Sequence, residues 1–335
     1  MTPLERSWHP IAWSEQLKDK PIAAEVLGQN VVAFRDSSGK AHVMKDRCAH
    51  KGVKLSGGRC IQEGIECPYH GWVFNGDGVR VRLPSHAGGK LPGISKIPSF
   101  LTCEQQGTVW FSFSNEPYQS SPPDWHFWNK KSFRTVLDME CEYIRLMENL
   151  VDNPHAGYIH GGLLRGRPTI EVVSHISETP TGVHINTRGE KAKNSLIYRL
   201  LGKAGKEIYH TEEFIAPNII RTVFSHPGTT HVSSQFVCVK VNEKKLRVFY
   251  RITLDFPFAA LVLPIFKRMV DRVLIQDKLM LEHEAQQEWA EPDFKKTPCK
   301  ADVAAIWTAR SARDYAKHGP PTEETFKTIE TSYRL

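Results

Sequence analysis

Two short stretches carry paired soft-metal ligands, Cys48-Ala-His50 and Cys67-Pro-Tyr-His70, with sixteen residues between His50 and Cys67. Thiolates and imidazoles at such spacing suit a tetrahedral soft-metal site. Two cysteines and two histidines fit either one zinc ion or a [2Fe–2S] cluster in which histidine replaces cysteine on one iron. Gly52 and Gly71 stand beside the pairs. Glycine there lets backbone amides approach bound sulfur, and such hydrogen bonds tune a cluster's potential.

A second group lies in Glu148–Gly162, ENLVDNPHAGYIHGG, which holds Asn149, Asp152, His155 and His160. On a helix Asn149, Asp152 and His155, spaced by three, share one broad face. His155 and His160 are five apart, about 140° from each other on an ideal helix. Both reach one ion only if the helix is distorted or ends between them, which Gly157 permits. Taken alone, paired histidines near a helix end are more often surface or packing residues.

These groups must be held by ordinary folded elements. The 335 residues are 40% hydrophobic and 24% charged, which predicts two soluble domains with ample core. Net charge is +7, yet no dense Lys/Arg run marks a nucleic-acid binder. MTPLERSWHPIAW has no apolar core of the signal-peptide kind. The most apolar run, Phe256–Phe266, has eleven residues with two prolines. It is too short to span a bilayer and predicts a buried strand or a lid, so no integral membrane segment is expected. Cys60, Cys103, Cys141, Cys238 and Cys299 are scattered and give no disulfide framework, which points to a reducing cytoplasm.

From Ile22 to about Ser114 the pattern is of short strands and turns. Val26–Phe34 and Ala41–Lys45 flank a turn cluster at Asp36–Gly39; Trp72–Phe74 runs into Asn75-Gly76-Asp77-Gly78, a hairpin signal; Val109–Phe113 closes the set. This predicts a small all-β domain with the Cys/His pairs at the tips of two hairpin-like loops. Residues 115–131 read as a linker. Between His160 and residue 260 six alternating segments predict antiparallel strands. Helical pattern returns at Lys267–Glu288 and again in DVAAIWTARSARDYAKHG, with loose residues expected after Gly319-Pro320-Pro321.

CAH followed by CPYHGW resembles the Rieske domain of the Rieske non-haem iron oxygenases, and the later segment resembles that family's Asn-x-x-Asp-x-x-His-x-x-x-x-His motif. The chain is most similar to the monooxygenase and demethylase subgroup acting on vanillate, dicamba or chlorophyll-derived pigments. The resemblance implies an α+β chain: an all-β Rieske [2Fe–2S] domain over 1–117, then a catalytic domain over 118–335. The latter would have an antiparallel sheet with flanking helices, helix-grip-like. It further implies that Cys48 and Cys67 bind one cluster iron and His50 and His70 the other. His155 and His160 would hold a mononuclear Fe(II), and Asp152 would link His155 to a Rieske histidine of a neighbouring subunit. Asn149 would be a more distant contact of the iron.

A facial triad needs one carboxylate besides two histidines. Candidates are Asp271, Asp277, Glu282, Glu284 and Glu288. Val273 and Leu274 precede Asp277, and Met280 and Leu281 follow it. It thus lies in an apolar stripe, where an unpaired carboxylate is costly. Asp271 has Lys267 four residues earlier and suits a surface ion pair. A helix-edge aspartate satisfied by lysine or water is the ordinary alternative for Asp277. The similarity of QDKLMLEHEAQQ to the family segment selects Asp277 as the third ligand.

The family likeness implies a homotrimeric terminal oxygenase that hydroxylates or oxidatively demethylates a small apolar or aromatic substrate. O₂ is the co-substrate, and electrons come from NAD(P)H through a separate reductase or ferredoxin, since no dinucleotide- or phosphate-binding glycine motif occurs. Alternatives are a cis-dihydroxylating dioxygenase, an electron-transfer Rieske protein, and a zinc-stabilised small-molecule-binding protein.

Overall fold

The computed structural model describes all residues except 87–92, 94, 162, 164–166, 168, 191–206, 227–229 and 323–324. The chain divides into two compact units, Met1–Asp124 and Trp125–Leu335. The sequence placed the boundary at 117/118.

The first unit is built from ten strands: β1 (His9–Trp13), β2 (Ile22–Val26), β3 (Gln29–Arg35), β4 (Ala41–Lys45), β5 (Arg59–Ile61), β6 (Gly64–Glu66), β7 (Val73–Phe74), β8 (Arg80–Arg82), β9 (Ser99–Gln105) and β10 (Thr108–Ser112). They form a six-stranded antiparallel sheet, β1-β10-β9-β4-β3-β2, and a four-stranded one, β5-β6-β7-β8. The run Val26–Phe34 is not one strand. Leu27 and Gly28 both take positive φ, 52° and 73°, the pair of conformations that a tight right-twisted hairpin needs. The chain therefore reverses between β2 and β3. Val32, Phe34, Met44, Leu55, Ile65 and Phe74 form a buried cluster that includes Cys48 and Cys67. The paired loops are therefore anchored from beneath by apolar burial.

The second unit begins with β11 (Lys131–Met139), α1 (Tyr143–Val151) and α2 (Ala156–Ile159). Six strands follow: β12 (Glu171–Thr179), β13 (Gly182–Arg188), β14 (Tyr209–Ile215), β15 (Ile219–His226), β16 (Thr230–Asn242) and β17 (Lys245–Asp255). Helices α3 (Ala259–Ala290) and α4 (Val303–His318) precede a last strand, β18 (Thr328–Arg334). One antiparallel sheet, β11-β17-β16-β15-β14-β13-β12-β18, contains all eight strands. Helix α3 packs on β11 and β17. It buries Phe266, Met269, Val270, Val273, Leu274, Asp277, Leu281 and Ala285, a spacing of three and four that defines one helix face.

Four expectations change. Residues 125–131 are not free linker: Trp125 is buried, the His126 amide donates to Gln235 Oε1 at 2.9 Å, and Arg251 Nη2 donates to the Trp128 carbonyl at 2.6 Å. Phe256–Phe266 is not a buried strand, because α3 already starts at Ala259 and runs through Pro264. Its Leu261 and Ile265 are 75% and 64% exposed. Met280 is exposed as well, so the stripe around Asp277 is narrower than expected. The C-terminus is ordered as a strand: β18 pairs with β12, and the Leu335 amide donates to the Ile170 carbonyl at 2.7 Å.

Candidate metal centres

The two Cys/His loops repeat one hydrogen-bond pattern. The Cys48 amide donates to the Val53 carbonyl at 2.8 Å, and the Gly52 amide returns to the Cys48 carbonyl at 2.9 Å. The Cys67 amide donates to Trp72 at 2.8 Å, and Gly71 returns to Cys67 at 3.1 Å. Each loop closes through a glycine of positive φ, 74° at Gly52 and 67° at Gly71, a conformation that costs a non-glycine residue about 1–2 kcal/mol. Both cysteines are buried, while His50 and His70 are exposed with ring centroids 4.6 Å apart. The His50 ring stacks on Trp72 at 4.6 Å with 2° between the planes. Burial, reinforced by the neighbouring Cys67 thiol, pushes the Cys48 thiol up to about 11, against the lowering effect of the His50 and Lys51 amides. Burial that holds the Cys48 thiol protonated is offset by a bound cation, so this pair of buried thiols suits a metal cluster.

Asp46 pins the first loop. It is buried, its Oδ1 accepts the Ser56 amide at 2.8 Å, and its Oδ2 accepts the Ser56 hydroxyl at 2.6 Å. Asp46→Ala leaves those donors unpaired and is expected to cost about 1–3 kcal/mol. Urea unfolding followed by cluster absorbance tests this; an unchanged midpoint would show that the anchor is dispensable.

The second site sits where helix is interrupted. Helix α1 ends at Val151, and Asp152 caps it in an extended conformation. Pro154 disfavours helix at Asn153 and lacks an amide donor. The chain resumes as the single turn α2, with His155 at its N-cap and His160 at its C-cap. The break is therefore set by Asp152–Pro154 rather than by Gly157. Asn149, Asp152 and His155 do not lie on one continuous helix.

This geometry brings His155, His160 and Asp277 of α3 together, with candidate ligand atoms within 4.8 Å of one another. Asp277 Oδ1 lies 3.0 Å from His160 Nε2 and 3.5 Å from His155 Nε2. The two rings are nearly perpendicular, at 81°. Both Asp277 Oδ1 and His160 Nε2 are buried without a hydrogen-bond partner. Orphaned polar atoms that converge in this way fit a cation between them. His160 Nδ1 lies 3.1 Å from Gln276 Oε1, which as an acceptor fixes the ring with Nε2 free to ligate. Asp152 Oδ2 is 3.6 Å from His155 Nδ1. Burial alone would lower the His155 pKa, but Asp152 and Asp277 outweigh it and raise it.

A cavity of about 140 Å³ opens beside these residues, and Asn149 lines it. The Asn149 Oδ1 is buried without a hydrogen-bond partner. Phe236 lines the cavity, while the buried residues Phe214, Ile219 and Phe249 do not. Asp271 pairs with Lys267 at 2.5 Å, and Glu282 and Glu288 pair with Lys278 and Arg145, as does Glu284 with Lys296.

One group escaped sequence reading. Buried His210 has Nδ1 3.3 Å from Glu190 and Nε2 3.4 Å from Glu212, and both glutamates are buried. Burial would lower its pKa, but the two carboxylates raise it overall. His210 and Glu212 both line the cavity. The available signal was their alternation with exposed positions in YHTEEFI, which places both on the buried strand face.

The Rieske [2Fe-2S] domain profile matches residues 7–100, and the vanillate O-demethylase oxygenase C-terminal domain profile matches residues 139–316. Chlorophyllide a oxygenase of Chlamydomonas reinhardtii is 28% identical over 83% of this chain and 43% of its own length. The oxygenase component of dicamba O-demethylase from Stenotrophomonas maltophilia is 31% identical over 48% of each. The chain spans about half the length of the curated relatives it matches. A crystal structure of dicamba monooxygenase bound to dicamba shares the fold at TM-score 0.82 and 18% identity, covering 94% of this chain and 98% of that one. With one profile over the paired loops and the other over more than half of the chain, the protein belongs to the Rieske oxygenases of the vanillate O-demethylase type, whose cofactors are a [2Fe–2S] cluster and a mononuclear iron.

Proposed function

We propose that the chain is a terminal oxygenase that uses O₂ and externally supplied electrons to hydroxylate or oxidatively demethylate a small apolar or aromatic substrate. The observation that carries this reading is the convergence of His155, His160 and Asp277, with orphaned donor atoms, beside a cavity to which the sheet and α3 contribute apolar side chains. When bound, the mononuclear iron supplies O₂ activation and the cluster supplies single electrons.

The chain's own residues hold and orient these groups. Buried Cys48 and Cys67 and exposed His50 and His70 would hold the cluster. His155, His160 and Asp277 would hold the mononuclear iron beside the cavity that they line. Asp152 orients the His155 ring through Nδ1 and has enough exposure, 33%, to accept a second imidazole N–H from a neighbouring subunit. Asn149 borders the site without entering the ligand set. The apolar part of the cavity wall excludes water around the reacting bond.

A head-to-tail homotrimer would supply that second imidazole, and a ring closes such a heterologous contact. Exposed Leu261, Ile265, Ile275 and Leu279 on α3 offer apolar surface of the kind that subunit contacts cover. Electrons come from a separate reductase or ferredoxin, as the phrase "oxygenase component" in two relatives' names supports. No helix among the described residues is long and apolar enough to cross a membrane, and all seven cysteines are free, which supports a reducing compartment such as the cytoplasm.

The test is a substrate screen with the reduced protein, in which O₂ uptake is followed together with product. Uptake coupled to a hydroxylated or demethylated product supports the proposal. Uptake that yields only hydrogen peroxide across aromatic and apolar candidates counts against it.

A further inference from the structure

The cavity beside His155, His160 and Asp277 has one polar wall. Strand register sets Glu212 of β14 opposite Thr222 of β15, and Thr222 opposite Ser234 of β16. All three line the cavity, so a hydrogen-bonding row crosses three adjacent strands. The neighbouring pair Phe224–Val232 is apolar, and so are Phe266, Val270, Val273 and Leu274 of α3. Thr222 is 7% exposed and Ser234 is half-buried, and both bring a hydroxyl to the cavity wall. A hydroxyl can both donate and accept, so each can pair with a polar group placed in the cavity.

Glu212 is held rigidly at one end of the row. Its Oε2 accepts a hydrogen bond from Asn153 Nδ2 at 2.9 Å, and its Oε1 lies 3.4 Å from His210 Nε2. His210 is shared with Glu190, so two carboxylates flank one imidazole. Acidic groups thus outnumber basic ones two to one at this end of the row. A fixed carboxylate with lone pairs to spare accepts hydrogen bonds and repels a second anion. The cavity volume, about 140 Å³, is close to the roughly 150 Å³ that holds benzene in an engineered protein, so it fits a single ring.

We propose that the Glu212–Thr222–Ser234 row selects the substrate: an uncharged, single-ring molecule that presents an N–H donor, of the aromatic amide class, while carboxylates of the same shape are rejected. This rests on the reading of the cavity as the oxygenase's substrate site. Sites built to pair a substrate's polar group discriminate far more strongly than apolar pockets do.

Benzamide and benzoate are matched probes. Isothermal titration of the iron-loaded protein, without electron donor, is expected to give a Kd for benzamide at least about tenfold below that for benzoate. Glu212→Gln should bring the two within about threefold, a change of selectivity that a merely structural role would not produce. Thr222→Val, which leaves the Glu190–His210–Glu212 group untouched, should weaken benzamide about threefold or more. Benzoate binding as tightly as benzamide, no benzamide binding up to its solubility, or a ratio retained in folded Glu212→Gln would each overturn the proposal. If Glu212→Gln does not fold, Thr222→Val decides, and an unchanged benzamide Kd overturns it. Iron and labile sulfide are counted in the same samples. Missing iron counts against the oxygenase reading, whereas equal binding with iron in place counts against the polar row alone.

Discussion

Replacing His155 with alanine is expected to abolish substrate oxygenation, at least about 100-fold in kcat, while the Rieske absorbance stays intact. His155 supplies one of three donors that converge within 4.8 Å. Two remaining donors, His160 and Asp277, do not make a closed or tightly binding site for a divalent ion. The cysteine loops stand on their own buried cluster in the first unit, built from residues such as Phe34, Met44 and Phe74. Nothing in that cluster depends on His155. Iron analysis should therefore show a loss of about one ion per chain with labile sulfide unchanged. Turnover that survives with full iron would remove His155 from the ligand set.

Asp152→Asn is expected to leave both iron sites filled and to slow reoxidation of the reduced cluster about 10- to 100-fold in a single turnover with substrate and O₂. The substitution keeps size and shape but removes the charge that, with Asp277, raises His155 against the effect of burial. An amide in that place offers one acceptor oxygen where the carboxylate offers two, so it cannot receive N–H groups from His155 and from a second imidazole equally well. Stopped-flow absorbance of the cluster measures the rate directly. Reoxidation at the wild-type rate would take Asp152 out of the route between the centres.

Much of this arrangement was legible in the chain, for local reasons. The Cys/His loops are contiguous, and their glycines mark the positive-φ positions that close them. Asp277 stood out because its neighbours Val273, Leu274 and Leu281 belong to a buried face, and the residue is indeed 3% exposed. What escaped reading was non-local. Pro264 signals a helix end, yet α3 runs through it in its second turn, which hid the helix start and made Phe256–Phe266 look like a strand. The tail after Pro321 is polar and proline-led, but it forms β18 because β12 offers a free edge. Glu190 follows β13 while His210 and Glu212 lie on β14, so only the pairing of β13 with β14 brings the three together, and only the pairing of β14 with β15 sets Glu212 beside Thr222.

The central claim is that one chain holds two different iron centres. Counting iron and acid-labile sulfide in anaerobically purified protein tests it most directly. About three iron ions and about two sulfides per chain are expected, with His160→Ala lowering iron by about one and leaving sulfide unchanged. About two zinc ions with neither iron nor labile sulfide would contradict it.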